Sequence, residues 1–196
     1  YGANNHGSIV EIQDDWYIFY HRHTNGTWYS RQGCAEKLTI LPDGSIPQVE
    51  ITSCGLNGGP LQGKGEYPAH IACHLYNNIP SVYVGDDRFP KIVQDGRDGD
   101  EEPGYITNMK DSATAGFKYF DCEDVKQMRI KTRGYAAGVF EVRTAWDGEV
   151  LATIKLEFTN VWEEYSAPVQ IPDGVQSIYL TYRGDGIVSL LSFTLA

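Results

Sequence analysis

Residues 127–143 read QMRIKTRGYAAGVFEVR. Met128, Ile130 and Thr132 alternate with Arg129, Lys131 and Arg133, and further on Phe140 and Val142 alternate with Glu141 and Arg143. Successive side chains of a strand point to opposite faces, so each run predicts a strand with one face on a core and one in water. Working outward, the candidate strands are 71–75, 118–120, 127–133, 138–145, 150–158, 169–171, 175–182 and 188–195. Residues 94–104 (QDGRDGDEEPG) read as a charged loop. Short strands at this spacing predict an antiparallel β-sandwich of the jelly-roll type over 69–196, long enough to bury its own core.

Upstream the pattern changes. SIVEI at 8–12 and the aromatic run Trp16–Tyr20 are β-prone, and Asn25-Gly26 is a hairpin signal. A strand is expected around Trp28–Arg31, another over 36–41, a turn at Pro42-Asp43-Gly44 and a last strand over 46–52. Four short antiparallel strands are the content of one propeller blade, placed at 1–54. Such a blade has two faces to cover and needs neighbouring blades. Residues 55–68 (GLNGGPLQGKGEYP) carry no periodicity and read as a linker. The expected class is all-β: a fragment of a β-propeller, then a sandwich.

Composition narrows the partners. Gly 21, Pro 9 and 12% aromatic residues suit short strands and tight turns. A formal charge of -10, with no basic cluster, repels a polyanion, so nucleic acid is excluded as an expected partner. A neutral polysaccharide meets no such penalty, and aromatic rings can stack on sugar faces. No apolar run approaches the ~20 residues of a membrane helix, so no membrane partner is expected. Cys34, Cys54, Cys73 and Cys122 form no C-x-x-C pair and are expected mostly as buried free thiols. The start YGANNHGSIVEI has neither basic nor apolar leader regions and reads as the middle of a fold.

The stretch NNHGSIVEI, DWYIFYHR, SRQGCAEKL and LPDGSIPQVEITSCG, over residues 4–55, resembles the final blade of glycoside hydrolase family 43, a five-bladed propeller. Its wording is most similar to members acting on arabinoxylan and xylan side chains. GVFEVR (138–143), TNVWEEYS (159–166), SIYLTY (177–182) and the closing LLSFTL resemble a family 6 carbohydrate-binding module. The resemblance implies inverting hydrolysis by an arabinofuranosidase or xylosidase, in which one carboxyl protonates the leaving oxygen and another activates water. It places those carboxylates in earlier blades, so no catalytic residue is expected here and the chain alone is not expected to catalyse. Glu11, Asp14, Asp15, Glu36 and Glu50 are read as solvated or structural. Secretion and the remaining blades as partners are further implications.

By the same resemblance, His6 of the NHGS motif faces the propeller axis and helps hold a calcium ion through water. Calcium prefers oxygen ligands, so an imidazole would orient bound waters. The plainer alternative is a histidine satisfying strand-end backbone groups. Arg31 matches the late arginine that reaches into the substrate pocket, where its fork of donors can bridge sugar hydroxyls; the alternative is a surface strand arginine. Gln32 and His21 are weaker candidates. Trp162 either lies near the module's sugar cleft or caps the core beside Tyr165, and Trp146 is expected to begin an exposed turn. The module's usual initial acidic residue is missing from Ile71-Ala72-Cys73-His74, and its late Asn and Asp are replaced by Ile187-Val188-Ser189. Those departures imply a scaffold that shields the propeller or shapes its rim. Two rival readings are a non-catalytic sugar-binding protein and a fragment that pairs through its exposed strand edges.

Overall fold

A computed structural model describes residues 6–27, 29–79, 88–96 and 103–196, and the chain is all-β. Strands β1 (Gly7–Ile12), β2 (Asp15–Arg22) and β3 (Gln32–Leu38) form an antiparallel meander. The expected strand over 46–52 is absent, and Tyr29–Arg31 are not in a strand; Trp28 lies outside the described residues. Segment 46–52 instead runs past β3, where Thr52 donates from its N–H and hydroxyl to the buried Glu36 carboxylate at 2.7 and 2.6 Å. Asn25-Gly26 does not close a two-residue hairpin, because β2 ends at Arg22 and β3 starts at Gln32. The Pro42-Asp43-Gly44 turn forms, with the Gly44 N–H donating to Leu41 O at 2.8 Å.

The sandwich strands are β4 (Leu61–Gln62), β5 (Gly65–Pro68), β6 (His74–Tyr76), β7 (Lys91–Val93), β8 (Tyr105–Met109), β9 (Thr114–Cys122), β10 (Val125–Gly134), β11 (Ala136–Arg143), β12 (Ala152–Leu156), β13 (Thr159–Ile171), β14 (Gly174–Gly186) and β15 (Val188–Leu195). One sheet runs β13-β10-β15-β8-β7, with β5 also on β15; the other runs β12-β11-β14-β9-β4, with β6 also on β9. Stretch 55–68, expected as a linker, therefore gives a strand to each sheet. Its short segments satisfy their backbone groups on β9 and β15, which no side-chain period announces. The strand expected over 71–75 begins later, because Ala69–Ile71 turn as a 3-10 helix. Part of the 94–104 loop lies outside the described residues.

The alternation in 127–143 emerges as anticipated: Met128, Ile130, Phe140 and Val142 are buried between the sheets. Phe117, Phe120 and Phe193 meet them in one core, with the Phe117 and Phe193 rings 4.6 Å apart. Burying an aromatic or aliphatic side chain of this size is worth about 1.5–3 kcal/mol. The core thus accounts for the sandwich's stability. All four cysteines are free thiols, Cys73 and Cys122 fully buried. No helix among the described residues is long and apolar enough to cross a membrane.

The meander is docked rather than tethered. Arg22 Nη1 donates to Ala72 O at 3.0 Å, Gln32 Nε2 to His70 O at 2.7 Å and the Ile92 N–H to Thr24 O at 2.8 Å. On the other side Glu50 accepts from Lys118 Nζ and Tyr119 Oη, both at 2.8 Å. The Lys118 ammonium and the phenol hydrogen bond hold the Glu50 carboxyl below its usual range.

Candidate functional site

The register of the meander gathers its candidates at one end. Gly7 lies opposite Tyr20 and Arg22 opposite Gln32, so His6, His21, His23 and Arg31 all fall where β1 starts, β2 ends and β3 starts. The His6 and His21 rings lie 5.8 Å apart and the His21 and His23 rings 5.5 Å apart. His6 and Arg31 are exposed. The sandwich grips this same end through Arg22, Thr24 and Gln32, the last of them directly after Arg31. Glu36 is buried and committed to Thr52 and to Tyr20 Oη at 3.1 Å, which makes it structural. Among the described residues no three His, Cys, Asp or Glu side chains are grouped to hold a metal. The donors of this end are imidazoles, a poor match to a cation that takes oxygens, so they do not make a calcium site by themselves.

Trp162 sits on β13 in a compact cluster of its own. The Arg133 guanidinium lies 4.4 Å from the centre of the Trp162 ring and 5.0 Å from that of Tyr105, and the two rings meet edge to face at 5.3 Å. Arg133 Nη2 is bound to Asp95 Oδ2 and to Tyr105 Oη, each at 3.0 Å, and Tyr105 Oη donates to Asp95 Oδ1 at 2.9 Å. Burial and the Asp95 hydrogen bond raise the Tyr105 phenol above its ordinary value, against the pull of Arg133. A guanidinium on an indole face is a favourable cation–π pair. One face of Trp162 is therefore occupied by the protein itself.

The opposite sheet carries a second cluster, on its outer surface. Tyr76 lies opposite Thr114, Thr114 opposite Thr181 and Thr181 opposite Glu141, a row across four strands. Tyr179, opposite Gly116, and Arg143, opposite Tyr179, form the next row. A Cβ at Gly116 would come 2.8 Å from the Tyr179 ring, so that position must be open for the ring to lie down. Gly184, opposite Gly138, has φ +151, and a Cβ there would sit 2.3 Å from Ala137 O; this close approach brings Arg183 beside Glu141. Glu141 Oε2 accepts from Arg143 Nη2 at 2.8 Å and Arg183 Nε at 3.0 Å. Burial pushes the Glu141 carboxyl up, but the two guanidiniums more than offset it and leave it below the usual range. Trp146, at the turn after β11, meets Tyr76 edge to face at 5.0 Å and Tyr179 at 5.7 Å.

No family model matches the chain. A xylosidase/arabinosidase from Thermoclostridium stercorarium is 65% identical over 201 residues, which take in 100% of this chain and 42% of that protein. The chain is homologous to part of a xylosidase/arabinosidase. An arabinoxylan arabinofuranohydrolase from Paenibacillus polymyxa is 25% identical over 97% of the chain and 30% of its own length. The chain thus spans less than half the length of either relative. A Bacillus subtilis family 43 arabinoxylan arabinofuranohydrolase, solved with cellotetraose, superposes on 100% of the chain and 41% of its own, with TM-score 0.64 and 18% identity. A family 6 module from Clostridium stercorarium, solved with cellobiose, covers 71% of the chain and 98% of its own at TM-score 0.57 and 19% identity. The fold is similar to that of a family 43 propeller segment joined to a family 6 sandwich, as the motifs implied.

The sequence places Trp146 at a turn but does not show the cluster around it. The signal existed in Glu141 and Arg143, polar residues on the outer side of an alternating strand. Their partners Thr181, Arg183 and Tyr76 come from strands whose register is not written in any one segment.

Proposed function

We propose that this chain works as part of a secreted glycosidase acting on arabinoxylan or xylan side chains, an arabinofuranosidase or xylosidase. The observation that carries this is the 65% identity to a xylosidase/arabinosidase along the whole chain. In this reading hydrolysis inverts the anomeric centre, and the acid and base stand on blades outside these residues. The meander needs those blades: every residue of β1 is exposed, with Val10 and Ile12 on one face and Ile9 on the other, apolar surface that neighbouring blades would cover. Arg31 donates to sugar hydroxyls, held in place by the sandwich's grip on both sides of its loop. His6 orients waters towards the propeller axis; calcium there would have to draw its oxygen ligands from other blades. Trp162 serves the sandwich's saccharide contacts only where Arg133 gives way. A polysaccharide too large to enter a cell argues for an extracellular enzyme.

The test is release of arabinose or xylose from arabinoxylan and from aryl glycosides by the longer polypeptide, with the anomer followed by NMR. Arg31→Ala should lower kcat/KM roughly 10²-fold, the loss expected when an aimed donor is removed. Sugar release by residues 1–196 alone, or full activity in Arg31→Ala, would overturn the assignment.

A further inference from the structure

The chain holds two Asn-Gly pairs, and the fold treats them differently. Asn57-Gly58 is bound down. The Asn57 N–H donates to Cys54 O at 3.0 Å, the Gly58 N–H to Gly55 O at 3.4 Å, and Asn57 Nδ2 to Gly59 O and Pro60 O at 3.0 and 3.1 Å. Gly58 also packs so close to Tyr17 that a Cβ there would sit 2.7 Å from the phenol oxygen. Asn25-Gly26 lies in the connection from β2 to β3, and among the described residues no hydrogen bond holds the Asn25 side chain. Gly26 has φ +67, and a Cβ on it would meet Lys91 of β7, 3.0 Å from Cε and 3.3 Å from Nζ. A lysine of the sandwich thus lies across this pair alone.

We propose that Asn25 is a self-modification site: it deamidates spontaneously, the Lys91 ammonium promotes the step, and the isoaspartate product loosens the dock between meander and sandwich. In the reaction the Gly26 amide nitrogen gives its proton to hydroxide and attacks Asn25 Cγ. The Cγ–Nδ2 bond breaks, ammonia leaves and a succinimide remains. Water then opens one of the two ring C–N bonds, giving aspartate or isoaspartate at position 25. One water is consumed and one ammonia released, and nothing is oxidised.

Sequence and fold both favour this site over Asn57. Asparagine is thermolabile, and a following glycine leaves the attacking nitrogen unshielded and the backbone free to turn into the ring. The nitrogen and then the attacked carbonyl pass through anionic stages, which a fixed cation beside them stabilises. Lys91 supplies that cation from the other part of the molecule. At Asn57 the same attack must first break hydrogen bonds, so it waits on local opening. The consequence follows from the neighbours. Thr24 O, one residue before Asn25, accepts from the Ile92 N–H at 2.8 Å, one residue after Lys91. Isoaspartate routes the main chain through the former side chain and lengthens it by a carbon, beside the carbonyl that makes this contact.

The experiment incubates this chain in mildly alkaline buffer and follows its peptides by mass spectrometry, with isoaspartyl methyltransferase labelling to mark the isoaspartate. Asn25 should convert roughly tenfold or more faster than Asn57. Lys91→Gln should slow Asn25 roughly two- to fivefold, the size of an exposed charge effect, and Lys91→Arg should restore the rate. In the aged chain, hydrogen exchange at the Ile92 amide should rise roughly tenfold, while an Asn25→Ser chain aged in parallel stays unchanged. Equal rates at the two asparagines, an unaltered rate in Lys91→Gln, or an Ile92 amide as protected after ageing as before would each overturn the proposal. None of these readings uses a sugar or its release, so this result stands or falls apart from the hydrolase assignment.

Discussion

The two sheets of the sandwich each carry arginine beside a tryptophan, and they use it in opposite ways. On one, Arg133 stacks on Trp162 at 4.4 Å and is fixed from the far side by Asp95. On the other, Glu141 on the outer face binds both Arg143 and Arg183, and Trp146 stays 44% exposed beside Tyr76 and Tyr179. The position of one carboxylate decides whether a guanidinium covers an aromatic ring or is held away from it.

The largest effect should come from Glu141. Its side chain is 20% exposed and that of Arg143 15%, so removing the carboxylate strands a largely buried guanidinium. Glu141→Ala should cost about 2–3 kcal/mol in urea unfolding. A loss below about 0.5 kcal/mol would mean the pair is no more than a surface bridge. The pH dependence follows from the lowered carboxyl. A depressed folded value gives stability that is present above the unfolded carboxylate range and fades as pH falls through the folded value. The stability gap between the parent chain and Glu141→Gln should therefore be steady from neutral to mildly acidic pH and close in strong acid. Melting curves across that range check it.

Arg133 comes next. Arg133→Met keeps much of the volume and removes the charge; a cation–π pair at a part-exposed site is worth about 1 kcal/mol, and that is the expected loss. The sharper readout is binding. With the guanidinium gone, Trp162 should acquire weak affinity for neutral oligosaccharides that survives Trp146→Ala. If it does not, coverage by Arg133 is not what distinguishes the two sheets.

Much of this arrangement was readable in residues 127–143. Alternation alone put Met128, Ile130, Phe140 and Val142 inside and Arg133, Glu141 and Arg143 outside, because a strand period is local. The NHGS and aromatic-strand wording likewise led to the propeller segment. What failed to show were features fixed by pairing. Leu61–Gln62 and Gly65–Pro68 become strands only because β9 and β15 offer them partners. Residues 159–168 of β13 are largely polar or aromatic, and their strand character comes from β10 beside them. Conversely 46–52 looked like a strand and is none, since its bonds go to Glu36, Lys118 and Tyr119. The outer-face cluster belongs to the same category: Tyr76, Thr114, Thr181 and Glu141 share a row through three separate registers.

The smallest effect should come from Asp95, and it tests the comparison most finely. Its side chain is 53% exposed and that of Arg133 30%, so solvent screens the pair and an exposed bridge contributes at most about 1 kcal/mol. Asp95→Asn keeps an acceptor for Tyr105 Oη but removes the charge that draws Arg133 and raises the phenol. Stability should fall by under about 1 kcal/mol, less in high salt. Tyrosinate absorbance should show one phenol moving back towards its ordinary range, because a carboxylate no longer disfavours its anion and Arg133 remains beside it. A loss above about 2 kcal/mol, unmoved by salt, would place this cluster with Glu141 as a buried network. The tryptophan would then be closed by the fold itself rather than by a contact that a ligand could displace.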